Sequence, residues 1–251
     1  QGKFERDTLQ FKNIETNASK VSALDIDNDG DLDISILSNL LPWQFAKTPS
    51  QYIFVNDGRG NFSDASLKYG LDFQNSGNVT DIVWVDLNDD TYLDAIVVGY
   101  WMPIKIFLNN GDQLLLQKNT NLEKTNGWWN AIKVNDFDND GDLDLFVGTR
   151  LISGQYPFPA SSYILINTNG KFKKASNLMA PDLENIGMVS DAVFSDIDGD
   201  GDEDLLVVGE WMEILVLENN KGVFSNTSDT HELQNTRGLW WSITASDLDN
   251  D

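Results

Sequence analysis

The chain has 251 residues, with 17 basic against 40 acidic side chains and a formal net charge of −23. Nucleic acid and anionic membranes both need a basic footprint, so neither is expected as a partner. Hydrophobic residues at 41% and charged residues at 23% are ordinary globular usage, and the absence of cysteine removes disulfides, zinc–thiolate sites and thiol catalysis.

The length suits one large domain or two small ones. The longest apolar run, residues 95–104, is half of a membrane span, so no membrane insertion is expected. No signal-peptide pattern is read, and a chain that starts at Gln1 rather than Met is expected to be a mature product or a cut piece.

Along the chain, residues 1–8 carry a Gly2-Lys-Phe4 step. A first unit, 21–66, opens on Val21-Ser-Ala-Leu24, which reads as a strand, and continues into Asp25-Ile-Asp27-Asn-Asp29-Gly30-Asp31-Leu-Asp33. A second apparent strand, Ile34-Ser-Ile-Leu37, is followed by a long connection, 39–51, holding Trp43 and Phe45, then by Tyr52-Ile-Phe-Val-Asn56 and Gly60-Asn-Phe62. The second unit, 79–118, contains Asp86-Leu-Asn88-Asp89-Asp90-Thr91-Tyr92-Leu-Asp94, Val97-Val-Gly-Tyr-Trp101-Met102 and a variant turn, Gly111-Asp-Gln-Leu114. The third, 128–176, contains Trp128-Trp129, Asp136-Phe-Asp138-Asn-Asp140-Gly141-Asp142-Leu-Asp144, a connection at 150–162 with Tyr156 and Phe158, Tyr163-Ile-Leu-Ile-Asn167 and Gly170-Lys-Phe172. The fourth, 189–227, contains Asp196-Ile-Asp198-Gly-Asp200-Gly201-Asp202-Glu203-Asp204, Val207-Val-Gly-Glu-Trp211-Met212 and Gly222-Val-Phe224, with strands expected near 191–195, 204–209, 213–218 and 222–225. Residues 239–251 open a fifth unit with Trp240-Trp241 and Asp247-Leu-Asp249-Asn-Asp251.

These clusters hold more than half of the acidic residues, and outside them acids and bases balance. A single cluster reads equally well as a solvated acidic turn. Several copies in one register point to a hard cation, because Ca²⁺ takes about six to eight oxygen ligands. An EF-hand is excluded: its twelfth position needs a bidentate Glu, whereas Ile36, Val147 and Val207 stand there, and strands rather than helices flank the loop. The cluster starts alternate at intervals of about 60 and 50 residues, and no stretch holds a helical period. Four short strands per unit at that spacing make the chain all-β, a β-propeller of four-stranded antiparallel blades: about four complete blades, with partial blades at both ends, forming a single domain over 1–251. A ring of seven such blades needs roughly 55 residues for each, so the chain is expected to be part of a larger ring or chain, and unpaired blade edges invite self-association.

The blade with Asp-x-Asp-x-Asp-Gly-x-x-Asp between its first two strands resembles the FG-GAP/VCBS repeat, which forms the calcium-binding propeller of integrin α-subunits and of many bacterial surface proteins. The Gly-Glu-Trp-Met and Gly-Trp-Trp phrases look most like bacterial exported members. The resemblance implies metal ligands at loop positions 1, 3, 5 and 9 through side chains and at position 7 through its carbonyl. These are Asp25, Asp27, Asp29, Asp31 and Asp33; Asp86, Asn88, Asp90, Tyr92 and Asp94; Asp136, Asp138, Asp140, Asp142 and Asp144; and Asp196, Asp198, Asp200, Asp202 and Asp204. The second loop departs from the pattern at Asn88, Thr91 and Tyr92, and replacing the turn glycine by Thr91 is expected to weaken it. The fifth loop, lacking positions 6 to 9, is expected to bind poorly.

The resemblance thus implies about four structural Ca²⁺ sites and an extracellular, cell-surface or periplasmic setting, since sites of about 10⁻⁴–10⁻³ M affinity stay empty in cytosol. It also places the connections between second and third strands on the face away from calcium, where Trp43, Phe45, Trp128, Trp129, Tyr156, Phe158, Trp240 and Trp241 are candidates for contacting a protein or glycan ligand. Trp101 and Trp211 are expected to pack between blades. Enzyme chemistry finds little support: His231 is the sole histidine, in a polar loop and expected to be solvated, although an acid–base pair from Glu210, Glu213 or Glu218 stays open. The Asn-x-Ser/Thr sites at Asn17, Asn61, Asn78 and Asn226 matter only in a eukaryotic secretory pathway. The leading function is a calcium-stabilised adhesion or binding module; the alternatives are a noncatalytic scaffold of a larger surface protein and a lyase-like carbohydrate-active enzyme.

Overall fold

A computed structural model describes residues 10–11, 14, 16–44 and 47–247. The expected piece at 1–8, Phe45 and the end of the fifth cluster with Asp249 and Asp251 lie outside the described residues. The chain is all-β, with strands arranged as successive antiparallel meanders. The first comprises β1 (Asn17–Leu24), β2 (Asp33–Leu40), β3 (Tyr52–Asn56) and β4 (Phe62–Asp64). Helical turns α1 (Ser66–Tyr69) and α2 (Leu71–Gln74) lead to β5 (Asn78–Val85), β6 (Asp94–Met102), β7 (Lys105–Asn109) and β8 (Leu114–Leu116). The third meander holds β9 (Gly127–Asn135), β10 (Asp144–Leu151), β11 (Tyr163–Thr168) and β12 (Lys171–Lys174). After α3 (Ser176–Met179) and a 3-10 turn at Pro181–Leu183 come β13 (Met188–Ser195), β14 (Asp204–Met212), β15 (Leu215–Asn220) and β16 (Val223–Asn226). A two-residue strand, β17 (Gly238–Leu239), pairs with β14.

The second strands are the most buried, because both of their faces are covered. Ala95 to Val98 in β6 and Leu145 to Val147 in β10 are apolar and fully inaccessible, as a β-branched, apolar run placed between two packed layers requires. Every first-to-second connection is an aspartate loop, so the loops all stand at the start of a second strand.

The chain divides into two compact units, and β6 contributes its first half to one and its second half to the other. The first unit comprises 1–80, 84–97 and 105–117. Its core includes Phe73, packed edge-on against Phe107 with centroids 5.4 Å apart, and Trp84 at 5.8 Å. Ser19 Oγ donates to the Val79 carbonyl at 2.6 Å, linking the first strands of its two meanders.

The second unit comprises 81–83, 98–104 and 118–251. Phe137, Phe146, Ile164, Leu205, Leu217 and Phe224 form its core. Phe137, the second residue of the third loop, meets Phe224 at 5.5 Å and Phe194 at 5.2 Å. A Cβ at Gly222, where φ is +87°, would stand 2.6 Å from the Phe137 carbonyl oxygen, so this Gly-x-Phe step is a requirement of close approach as well as of the turn, whereas Gly60 and Gly170 meet only the turn's demand for positive φ. First strands are again linked: Asn130 Nδ2 donates to the Ser190 carbonyl at 2.9 Å, and the Ile132 amide donates to Asp81 Oδ2 at 3.1 Å. Asp191, the counterpart of Asp81, takes the Ile243 amide and the Ser242 hydroxyl and pairs with Lys133 at 3.1 Å.

Candidate metal centres

Each aspartate loop is a turn with two left-handed residues, at positions 4 and 6. Position 4 is Asn28, Asp89, Asn139 or Gly199, with φ from 58° to 76°, within the range that Asn, Asp and Gly tolerate. Position 6 is glycine in three loops, at φ 94° to 95°, and Thr91 in the second, at φ 77°. The aspartates at positions 1 and 5 wrap this turn. In the third loop Asp136 accepts the amides of Asp140 and Gly141 at 3.2 and 2.9 Å, and Asp140 accepts that of Asp142 at 2.9 Å. Loops one and two repeat the pattern. In loop four Asp196 accepts the amides of Gly199 and Gly201, and that of Asp200 goes to Asp198 instead.

Position 9 has a different environment. Asp33, Asp94, Asp144 and Asp204 are fully buried. One oxygen of each accepts the amide of loop position 2, Ile26, Leu87, Phe137 or Ile197, at 2.8 to 3.0 Å. The other accepts the amide of an asparagine at or next to the end of the third strand, Asn56, Asn109, Asn167 or Asn219, at 2.7 to 2.8 Å. A carboxylate offers about four acceptor sites, so two bonds leave capacity for a cation. Desolvation pushes Asp94 and Asp144 up to about 6, against the lowering effect of those same amides. Asp27 is also raised, by desolvation and then by Asp33 and Asp29, and Asp138 by desolvation and then by Asp140.

Carboxylate oxygens of Asp25, Asp27 and Asp29, of Asp136, Asp138 and Asp144, and of Asp196, Asp198 and Asp204 lie within 4.8 Å of one another in each group. Such groups could hold a metal ion. Opposite ligands of a Ca²⁺ ion, each at about 2.3–2.6 Å, are about 5 Å apart, so the oxygen set fits one. A buried oxygen of Asp27 has no hydrogen-bond partner, which leaves its acceptor capacity free for a cation. Among the described residues this grouping is absent from the second loop, where Asn88 Nδ2 donates to Asp90 at 3.0 Å. Position 7 has a second use: Asp142 and Asp202 side chains accept the amides of Asn169 and Lys221, both at 2.8 Å, tying the loop to the hairpin between third and fourth strands. Tyr92 instead lays its ring against Gly111.

Two sets of supporting residues escaped the sequence reading. The third-strand asparagines do more than mark the repeat: each also donates its side-chain amide to the carbonyl of loop position 8. Asp81, which bonds to Ile132 in β9, and Asp191, which bonds to Ile243 beyond β17, are legible in the sequence only as charges inside otherwise apolar strands.

The aromatic candidates divide. Trp43 is 99% exposed, and Tyr156, Phe158, Trp240 and Trp241 are also exposed. Trp128 is half-buried. Trp129 is buried, with Nε1 donating to the Met102 carbonyl at 3.1 Å and its ring over Gly127, and it lines the same cleft as Trp101 and Trp128. Trp101 and Trp211 correct the expectation that they pack between blades. They are 57% and 56% exposed because their backbones are left-handed, with φ 54° and 60°, and turn the indoles out of the sheet. Trp101 and Trp128 line a cleft of about 420 Å³, and Trp211, Glu210, Glu213 and Arg237 line another of about 350 Å³. Thr149 and Leu151 of the first cleft lie toward the end of β10, whose other end carries the third loop.

Two of the three candidate acid–base residues, Glu210 and Glu218, are engaged, and Glu213 lines the Trp211 cleft. Glu210 is buried and bonds Arg150 through Nη2 at 2.6 Å and Nε at 2.7 Å. His231, expected to be solvated, reaches Glu218 at 3.0 Å. Among the described residues no helix is long and apolar enough to cross a membrane.

Comparison with known proteins places these loops in a family. The FG-GAP-like repeat model matches residues 86–147 and 196–251, each segment opening on the first aspartate of an acidic loop. No curated protein matches the chain. Among solved structures, the crystal structure of the V. cholerae biofilm matrix protein Bap1 is similar at 20% identity and a TM-score of 0.43, over 84% of this chain and 39% of that one. The chain therefore spans about two fifths of that protein's length. With two matched segments in one register, and the same loop built at the start of each second strand, the chain carries FG-GAP-like repeats at residues 86–147 and 196–251.

Proposed function

We propose that the chain is a calcium-stabilised extracellular binding module of the adhesion type, its meanders acting as blades of a β-propeller. The observation that carries this reading is the separation of two chemistries along one strand. Carboxylate groups sized for a hard cation stand at the starts of β10 and β14. Aromatic clefts stand at the opposite ends. Structural ions at one end leave the other free for a protein or glycan ligand. The first-strand bonds from Ser19 to Val79, from Asp81 to Ile132 and from Asn130 to Ser190 support blades laid side by side.

Calcium acts on stability in this reading. With a Kd near 10⁻⁴ M and about 1–2 mM free ion, each site adds roughly 1.5 kcal/mol by mass action. Four sites add about 6 kcal/mol, comparable with a domain's whole stability of ~5–15 kcal/mol. Such a requirement suits an exported protein. The test is calorimetric titration of the metal-free chain, with melting in EDTA and in about 2 mM Ca²⁺. About four binding events and a large rise in melting temperature are expected. Absence of both binding and shift would leave the clusters as acidic turns and overturn the reading.

A further inference from the structure

We infer that the cleft beside Trp101 and Trp128 is a subsite for an uncharged sugar ring, an inference that rests on the binding-module function proposed above. Trp101 and Trp211 occupy matching positions, at the ends of β6 and β14, and each sits at a register shift of its pairing with the neighbouring strand. A bulge re-aims a side chain, and a bulky residue persists in the left-handed region only where its surroundings hold it there. Here the outcome is an indole turned to solvent, twice, in the same register. Burial of apolar surface does not account for a strained residue that ends up more than half exposed.

The ring of Trp101 stands 4.4 Å from that of Trp128 at 60°, and Tyr100 backs Trp128 at 4.8 Å. The cleft is therefore walled by aromatic faces held from behind. In a chain of net charge −23, none of its lining residues is charged. Its polar groups are an amide and hydroxyls, from Asn126, Ser153, Thr149 and Tyr163. Thr149 is nine-tenths buried and its hydroxyl has no hydrogen-bond partner; nor has the Trp128 indole N–H. A pyranose presents an apolar C–H face with a rim of neutral hydroxyls, which matches aromatic walls with neutral donors and acceptors. The Trp211 cleft differs in carrying Glu210, Glu213 and Arg237, so the two matching tryptophans serve different ligand chemistries.

The test titrates the full chain, in calcium, with neutral oligosaccharides of glucose, galactose, mannose and N-acetylglucosamine, using alginate as the acidic control. Binding is read by NMR shift perturbation, and melting in calcium and in EDTA is recorded on the same samples. A neutral sugar is expected to bind, and Trp101→Gly is expected to weaken it roughly tenfold or more while calcium-bound melting holds. Ser153→Arg, which crowds the cleft from its exposed rim, should weaken binding in the same way with the indole intact. Leu178→Ala, at an exposed side chain outside the cleft, should bind as the parent does. Failure of every neutral sugar to bind, undiminished binding by both cleft variants, or a preference for alginate would each overturn the inference. If calcium still raises melting in that case, the binding-module reading stands without this subsite; if calcium has no effect, that reading is the one that fails.

Discussion

Thr91 stands where three other loops have glycine, and its φ of 77° is strained for a β-branched side chain. Thr91→Gly should raise stability by about 0.5–1 kcal/mol, the relieved strain exceeding the added freedom of the unfolded chain, and should tighten the second site; melting and calorimetry check both. Asn167 makes a case of the opposite sign. Its buried side chain donates to the Leu143 carbonyl at 3.1 Å and accepts the Gly170 amide at 2.9 Å, both bonds part-buried. Asn167→Ala leaves those backbone groups unpaired and should cost about 2–3 kcal/mol, measured by denaturant unfolding in calcium. Asp191 links stability to pH. Desolvation pushes its carboxyl up, but Lys133 and the bonds from Ile243 and Ser242 outweigh this and hold it below the usual carboxylate value. A depressed folded pKa contributes stability above the unfolded pKa and loses it as pH falls through the folded one. Asp191→Asn should therefore be about 1 kcal/mol less stable at neutral pH, with the difference closing below about pH 4.

In the proposed function the aspartate loop is the element on which metal and fold meet. Its position-9 carboxylate pins the loop to the third strand while its other aspartates repel one another around a shared space. Asp138→Ala should change stability with opposite signs in the two conditions. In EDTA it removes a repelling charge and melting should hold or rise; in calcium it should lower stability by about 1.5 kcal/mol and delete one calorimetric event. A loop that is only an acidic turn would show the first effect without the second. The tryptophan bulges at the ends of β6 and β14 are the corresponding element at the other end of the strands, where geometry displaces what apolar character alone would bury.

For the whole molecule, a net charge of −23 concentrated in a few loops makes the metal-free chain self-repelling. Added sodium chloride should raise its melting temperature in EDTA by screening those carboxylates, and the effect should shrink in saturating calcium, where the ions neutralise the loops. Equal salt dependence in both conditions would separate the charge from the metal.

Much at this scale is legible in the residues. Alternating intervals between acidic clusters, Gly-x-Phe steps and β-branched runs are local signals, and each maps onto a turn or strand that forms where its own sequence places it: the fourth unit was read as strands at 191–195 and 204–209, against β13 at Met188–Ser195 and β14 at Asp204–Met212. Composition likewise sets the oxygen-donor chemistry of the loops by itself. The sequence does not record which way a side chain faces once strands from distant positions meet. Trp129 and Trp101 are both tryptophans near strand ends; one is buried over Gly127 and the other is turned out by a bulge. Asp144 and Asp142 belong to one motif, yet one is buried against Asn167 and the other reaches Asn169 in a hairpin. Hydrogen bonding and packing between residues far apart in the chain decide these outcomes, so only the tertiary structure could assign them.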